Sequence, residues 1–184
     1  MLDICLLGTG GMMPMPSRFL TAMLARLNGR LALIDCGEGT QVTMKMLGWG
    51  FKAIDVICFT HFHADHISGL PGLLLTIGNA GRTEPLTLIG PVGLQRIVEG
   101  LTLIAPELPF PIEYIELTQD APNPIRVGAF EIHHCPADHM VKCFAYRIDL
   151  KRKGKFDVKK AEQLKLPKPL WNKLQKEGSV EHEG

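Results

Sequence analysis

The chain has 184 residues, 46% hydrophobic, 21% charged and 7% aromatic: enough for one domain with a core, and too ordinary for collagen, a repeat array or intrinsic disorder. No apolar run reaches the roughly 20 residues that span a bilayer, and Met1-Leu2-Asp3-Ile4-Cys5 lacks the basic segment of a signal peptide, so a cytoplasmic protein with no membrane contact is expected. The net charge of +1 is uneven, with 10 Lys/Arg against 14 Asp/Glu in residues 1–150 and 10 against 5 in residues 151–184; a basic appendage on a slightly acidic body suggests a polyanion contact, with a solvated tail as the alternative.

Residues 2–7 read as a buried strand, broken by Gly8-Thr9-Gly10-Gly11, and 12–17 with two prolines as a loop. Residues 19–27 and 30–35 form a predicted hairpin around Asn28-Gly29. A helix over 39–47 ends at Gly48. The β-rich run 53–59 leads into a polar histidine cluster, and Gly69-Leu70-Pro71 leads into a helix near 72–80. A short strand at 86–89 precedes Gly90-Pro91 and a helix near 92–104. Strands near 112–117, 126–134 and 142–149 follow, and from Lys151 the pattern turns basic and helical, interrupted by Pro167 and Pro169. This is mixed α/β with helices inserted singly. The five cysteines (5, 36, 58, 135 and 143) are odd in number and form no CxxC, which reads as reduced, buried thiols.

The informative segment is Phe59-Thr60-His61-Phe62-His63-Ala64-Asp65-His66. On an extended backbone, side chains at i and i+2 point the same way, so His61 and His63 can face one ion. Asp65 and His66 are adjacent and need a turn to converge on a neighbouring ion. Imidazole and carboxylate donors suit zinc, with manganese or iron as alternatives. A surface histidine cluster without an ion is the competing reading.

The pattern His61-x-His63-x-Asp65-His66 resembles the signature of the metallo-β-lactamase superfamily. A second stretch, Asp35-Cys36-Gly37-Glu38-Gly39-Thr40-Gln41, resembles the corresponding motif of the ribonuclease Z family, as does the run Cys143-Phe144-Ala145-Tyr146-Arg147. Ala145 stands where that family commonly has glycine. The family's Pro-x-x-Lys-x-Arg element after Gly10 is replaced by Met13-Pro14-Met15-Pro16-Ser17-Arg18.

The resemblance implies an αββα sandwich of which this chain is the first half, residues 1–150, plus a basic helical arm, residues 151–184. It implies a metal-dependent endoribonuclease that processes the 3′ end of tRNA precursors, with tRNA as partner and a homodimer as assembly. His61, His63 and His139 would hold one Zn2+, and Asp65 and His66 a second. Asp65 would accept or orient the proton of the attacking water, and Asp35 would support the histidines from behind. The complete enzyme would carry two ions and this chain one or none, because the family's bridging aspartate and last histidine match no residue here. His133 and His134 match no ligand position. Lys151, Arg152, Lys153, Lys159 and Lys160 would grip tRNA phosphates through the arm. A small-substrate hydrolase of the superfamily, phosphodiesterase or arylsulfatase-like, remains the alternative, as does an inactive structural half. On this reading the isolated chain is weakly active or inactive.

Overall fold

The computed structural model describes residues 1–13, 15–105, 107–150 and 155–181, and the chain divides into two units, Met1–Asp149 and Leu150–Gly184. In the first unit, β1 (Leu2–Gly8), β2 (Ala22–Leu27) and β3 (Arg30–Ile34) form an antiparallel meander. The β2–β3 turn is what Asn-Gly demands: Leu27 pairs with Arg30, and Asn28 and Gly29 take φ of 52° and 79°. That is a two-residue turn with both central residues left-handed, matching the strand twist.

After β3 the sheet turns parallel. β4 (Ile54–Cys58), β5 (Leu86–Pro91) and β6 (Ile112–Leu117) extend it in the order β1-β2-β3-β4-β5-β6. Parallel neighbours need crossovers. These are α1 (Thr40–Leu47), then α2 (Ala64–Ile67) with α3 (Leu70–Asn79), then α4 (Leu94–Leu101) with a 3-10 turn at Thr102–Ile104. Met44, Leu70, Leu73, Leu74, Ile77, Leu94 and Val98 pack in one cluster with Leu24, Leu33, Ile57 and Leu88 of the strands. The helices therefore cover one face of the sheet.

A separate antiparallel sheet is built from β7 (Ile125–Val127), β8 (Phe130–Ala137) and β9 (Cys143–Asp149). The sequence predicts one strand over 126–134. The structure breaks it into a hairpin at Gly128, whose φ is 54°, with Val127 paired to Phe130. Two bonds tie this sheet to the other: Phe144 N–H donates to the Thr60 carbonyl at 3.0 Å, and the Tyr146 hydroxyl donates to the buried Phe59 carbonyl at 2.8 Å. Helix, sheet and sheet thus form three successive layers of the α/β sandwich, and both interlayer bonds land on the residues just before the histidine cluster.

The cysteines differ in part from the expectation. Cys36 and Cys58 are buried, Cys5 and Cys143 are half-buried, and Cys135 is exposed. It lies on the face of β8 that the core does not cover.

The second unit holds α5 (Val158–Gln163) and α6 (Lys168–Glu177). The Asp157 carboxylate caps α5 by accepting from Lys160 N–H at 3.0 Å. Pro167 and Pro169 sit at the start of α6, where a missing N–H costs nothing, so they open a helix rather than only interrupting one. Trp171 packs: its ring lies 5.4 Å from that of Phe156, and its indole N–H donates to the Leu166 carbonyl at 2.8 Å.

Candidate metal centre

Strand β4 ends at Cys58, and α2 begins at Ala64. Between them, Thr60–His63 form a short extended loop over the end of the sheet. His63 takes φ −65° and ψ 148° and then the chain turns into α2. That turn brings Asp65 and His66 back beside His61: the Asp65 Oδ2 to His66 Nε2 distance is 3.6 Å, and the rings of His61 and His66 are 4.1 Å apart. His139, two residues beyond the end of β8, arrives from the second sheet. Its ring stands 4.7 Å from that of His61 and 5.2 Å from that of His63.

The donor nitrogens of His61, His63 and His139 all lie within 4.8 Å of one another. His61 Nε2 faces His63 Nδ1 at 3.0 Å. Lone pairs pointed at each other repel unless a proton or a cation lies between them, so this donor set fits a divalent ion.

Behind the donors stands a hydrogen-bond chain that fixes their orientation. Asp35, 2% exposed, accepts at Oδ1 from Thr60 N–H at 2.8 Å and at Oδ2 from the Thr60 hydroxyl at 2.9 Å. Its Oδ2 also lies 2.8 Å from His66 Nδ1. With the Thr60 hydroxyl proton committed to Asp35, its oxygen accepts from His61 Nδ1–H at 3.0 Å. Both imidazoles are thereby left with Nε2 free to ligate, the usual outcome of a carboxylate behind a metal histidine. Asp35 achieves this at φ 58°, in the left-handed region that a non-glycine rarely adopts.

The motif from Asp35 to Gln41 is a brace for the same loop. Cys36 N–H donates to the His66 carbonyl at 2.7 Å, and Gly69 N–H donates to the Cys36 carbonyl at 2.9 Å. A side chain on Gly37 would stand 2.4 Å from the Asp65 carbonyl oxygen and 2.6 Å from Leu20 Cβ, so only glycine lets the two loops touch. Thr40 hydroxyl donates to the Gly37 carbonyl at 2.7 Å, and Gln41 Oε1 accepts from the Thr76 hydroxyl at 2.9 Å, joining α1 to α3.

The electrostatics follow the geometry. Burial, aided by repulsion from His66 and His63, pushes the His61 imidazole down to about 4, so it is neutral at ordinary pH. Burial lowers His66 as well, but the Asp35 hydrogen bond and charge outweigh it and raise the group. Burial raises Asp65, yet the Met12 N–H donating to its Oδ2 at 3.1 Å, with the nearby histidines, holds the carboxyl below its ordinary range.

Sequence reasoning missed Thr60, the Met12 amide and Tyr146. Thr60 carried a signal, as a hydroxyl residue immediately before the first histidine. The Met12 amide carried none, since backbone donors are invisible in a side-chain pattern. Cys143 Sγ stands 4.0 Å from His61 Nδ1, near the site but not among the converging nitrogens. Beside His139 runs an open groove of about 1040 Å³ lined by Val92, Asn123, His134, Met140, Lys142 and Phe144. Of the arm residues, Lys159 and Lys160 are exposed on α5, while Lys151, Arg152 and Lys153 lie outside the described residues, as does Pro14 of the altered loop.

Known proteins share this fold and much of this sequence. Residues 2–98 match the family model described as Anti-Pycsar protein Apyc1. The metallo-beta-lactamase fold protein YhfI from Bacillus subtilis superposes with a TM-score of 0.66 at 19% identity over 80% of this chain and 57% of that one. The crystal structure of human tRNase Z, short form, superposes at 0.70 with 30% identity, covering 81% of this chain and 65% of that chain. Ribonuclease Z of Lachnospira eligens is 57% identical over 175 residues, 95% of this chain. The chain belongs to the Anti-Pycsar protein Apyc1 family and has the metallo-β-lactamase fold. It spans 57% of the length of the Lachnospira ribonuclease Z.

Proposed function

We propose that this chain carries the metal-binding part of a zinc-dependent endoribonuclease that processes the 3′ ends of tRNA precursors. One observation carries the reading: three imidazole donors from two sheets converge within 4.8 Å of one another, in a chain 57% identical to a ribonuclease Z. Zinc suits three imidazoles, and manganese is the alternative. When bound, such ions lower the pKa of a coordinated water from 15.7 to about 7 and polarise the phosphoryl oxygens.

The chain's own residues have separable tasks. His61, His63 and His139 hold one ion; Asp65 and His66 contribute to a second. His61 stays neutral and keeps its lone pair available. Asp35, through Thr60 and His66, holds two imidazoles with Nε2 forward. Asp65, kept ionised by the Met12 amide, accepts or orients the proton of the attacking water, a role worth about 10²–10⁴-fold in general-base catalysis. The groove past His139 takes the RNA strand, and Lys159 and Lys160 contribute phosphate contacts that carry no sequence preference. The same reading places the protein in the cytoplasm as a homodimer.

The test compares cleavage of a tRNA precursor with that of bis(p-nitrophenyl) phosphate, using the full-length protein. The expected result is 3′ cleavage of the precursor, lost in His63→Ala together with the zinc held at His61, His63 and His139. Unchanged zinc content in that variant would overturn the ligand assignment. A preference for the small ester would favour a small-substrate hydrolase.

A further inference from the structure

The face of β8 and β9 turned away from the buried core residues carries a second convergence of donors, which the histidine centre does not use. Glu131 and His133 are two apart on β8 and share a face; Asp149 is directly opposite Glu131 on β9. Their donor atoms lie within 4.8 Å of one another. His133 Nε2 is 3.1 Å from Asp149 Oδ2 and 3.8 Å from Glu131 Oε1. That nitrogen is buried yet makes no hydrogen bond of acceptable geometry to either carboxylate.

We propose that Glu131, His133 and Asp149 form a second divalent-cation site, separate from the histidine centre and suited to zinc or manganese. The spacing is the first argument. Ligands about 2.0–2.2 Å from one ion are held roughly 3.0–3.6 Å apart along the edges of an octahedron or tetrahedron. The observed 3.1 Å lies within that range and 3.8 Å about 0.2 Å above it. The second argument is Nε2, a buried nitrogen whose 3.1 Å approach to Asp149 lacks hydrogen-bond geometry, so it is incompletely satisfied unless something binds it. The third is the outer shell. Arg126 Nε is 3.0 Å from Glu131 Oε2, on the carboxylate oxygen away from His133, and Arg147 grips Asp149 at 2.8 and 3.0 Å. Arg147, first by its hydrogen bond and then by its charge, holds Asp149 below the ordinary carboxylate range, hence ionised. Glu131 is thus held at Oε2 and turned to the imidazole with Oε1, which is what outer-shell orientation looks like, while Asp149 Oδ2 is shared between Arg147 and His133. Both arginines are about two-thirds exposed. At that exposure an ion pair orients its carboxylate but binds it weakly, so Arg147 can yield Asp149 Oδ2 to an incoming ion.

The site is far from the histidine centre along the chain. Four strand residues, about 13 Å at 3.3 Å each, separate His133 from the end of β8, and His139 lies beyond. Its donor set is mixed oxygen and nitrogen, harder than the three imidazoles, so it takes manganese more readily than the histidine centre does.

The test is a zinc titration of the whole protein followed at the ring nitrogens of His133 by imidazole ¹⁵N NMR. The expected result is a saturable shift of Nε2, with about tenfold or greater weakening in Asp149→Asn and in Glu131→Gln, while the signals of His61 and His63 respond as in the parent. Using two conservative variants guards against one that fails to fold. If Nε2 does not respond to zinc and moves only with pH, the five side chains are a surface ion-pair network and the proposal is wrong. A zinc shift that survives both variants overturns it equally.

Discussion

Asp35 holds a rare backbone conformation, and the return on that strain is its double grip on Thr60 and His66. Asp35→Asn keeps the shape but turns one acceptor into a donor. We expect zinc affinity to fall about 10–100-fold, the usual cost of losing an outer-shell partner, with the unfolding midpoint nearly unchanged; equilibrium dialysis against a zinc indicator measures it, and parental affinity would sink the idea. His61 gives a second residue-scale prediction, for the metal-free protein. Its imidazole ordinarily titrates near 6.5 and is held at about 4 here, so the folded state resists a proton that the unfolded chain accepts. The stability this site contributes is present above pH 6.5 and is lost as pH falls from 6.5 through about 4. His66, raised by Asp35, runs the other way: its contribution is present below its unfolded pKa and lost as pH rises through its folded one. Denaturant melts in chelator at pH 7 and pH 4.5 should therefore show the His61→Gln variant losing less stability on acidification than the parent, by at most about 3 kcal/mol at 1.36 kcal/mol per unit. Equal losses would refute the burial argument. The approach of His61 to His63 was legible in the sequence because i and i+2 spacing on an extended chain is local. His139 was legible only through resemblance, since 75 residues of chain separate it from His63.

At the scale of elements, the histidine loop is positioned by neighbouring backbone rather than by its own sequence. The Asp35–Gln41 turn lies against it closely enough that a Cβ at Gly37 would meet the Asp65 carbonyl at 2.4 Å. Gly37→Ala should force the two loops apart, costing about 1–3 kcal/mol of stability and weakening zinc through displaced Asp65 and His66. A midpoint within error of the parent would mean that the loops separate freely. The hairpin at Asn28-Gly29 and most strands were readable from turn chemistry and period. The β7–β8 hairpin was not, because its only mark is Gly128 inside an alternating pattern that a single strand also satisfies. The join between the sheets was equally hidden: Tyr146 to Phe59 and Phe144 to Thr60 are contacts across more than 80 residues, and one of them uses backbone alone.

At the scale of the whole molecule, the charge division bears on the proposed RNA substrate. A slightly acidic body with a metal centre would repel RNA, and the basic residues of 151–184 offset that. Lys159 and Lys160 are exposed on α5, free of any ion pair among the described residues, and so are available to neutralise phosphates. Each phosphate contact adds about 0.7–0.9 to the slope of log K against log salt concentration. Reversing both charges, Lys159→Glu and Lys160→Glu, should lower the slope for tRNA precursor binding by about 1.4–1.8 and leave zinc content unaltered. Cleavage of bis(p-nitrophenyl) phosphate, which has no distant phosphates to hold, should be unaffected by the same substitutions. Filter binding across 50–200 mM salt reads the slope directly; an unchanged slope would remove α5 from the RNA interface and leave the basic segment a solvated surface.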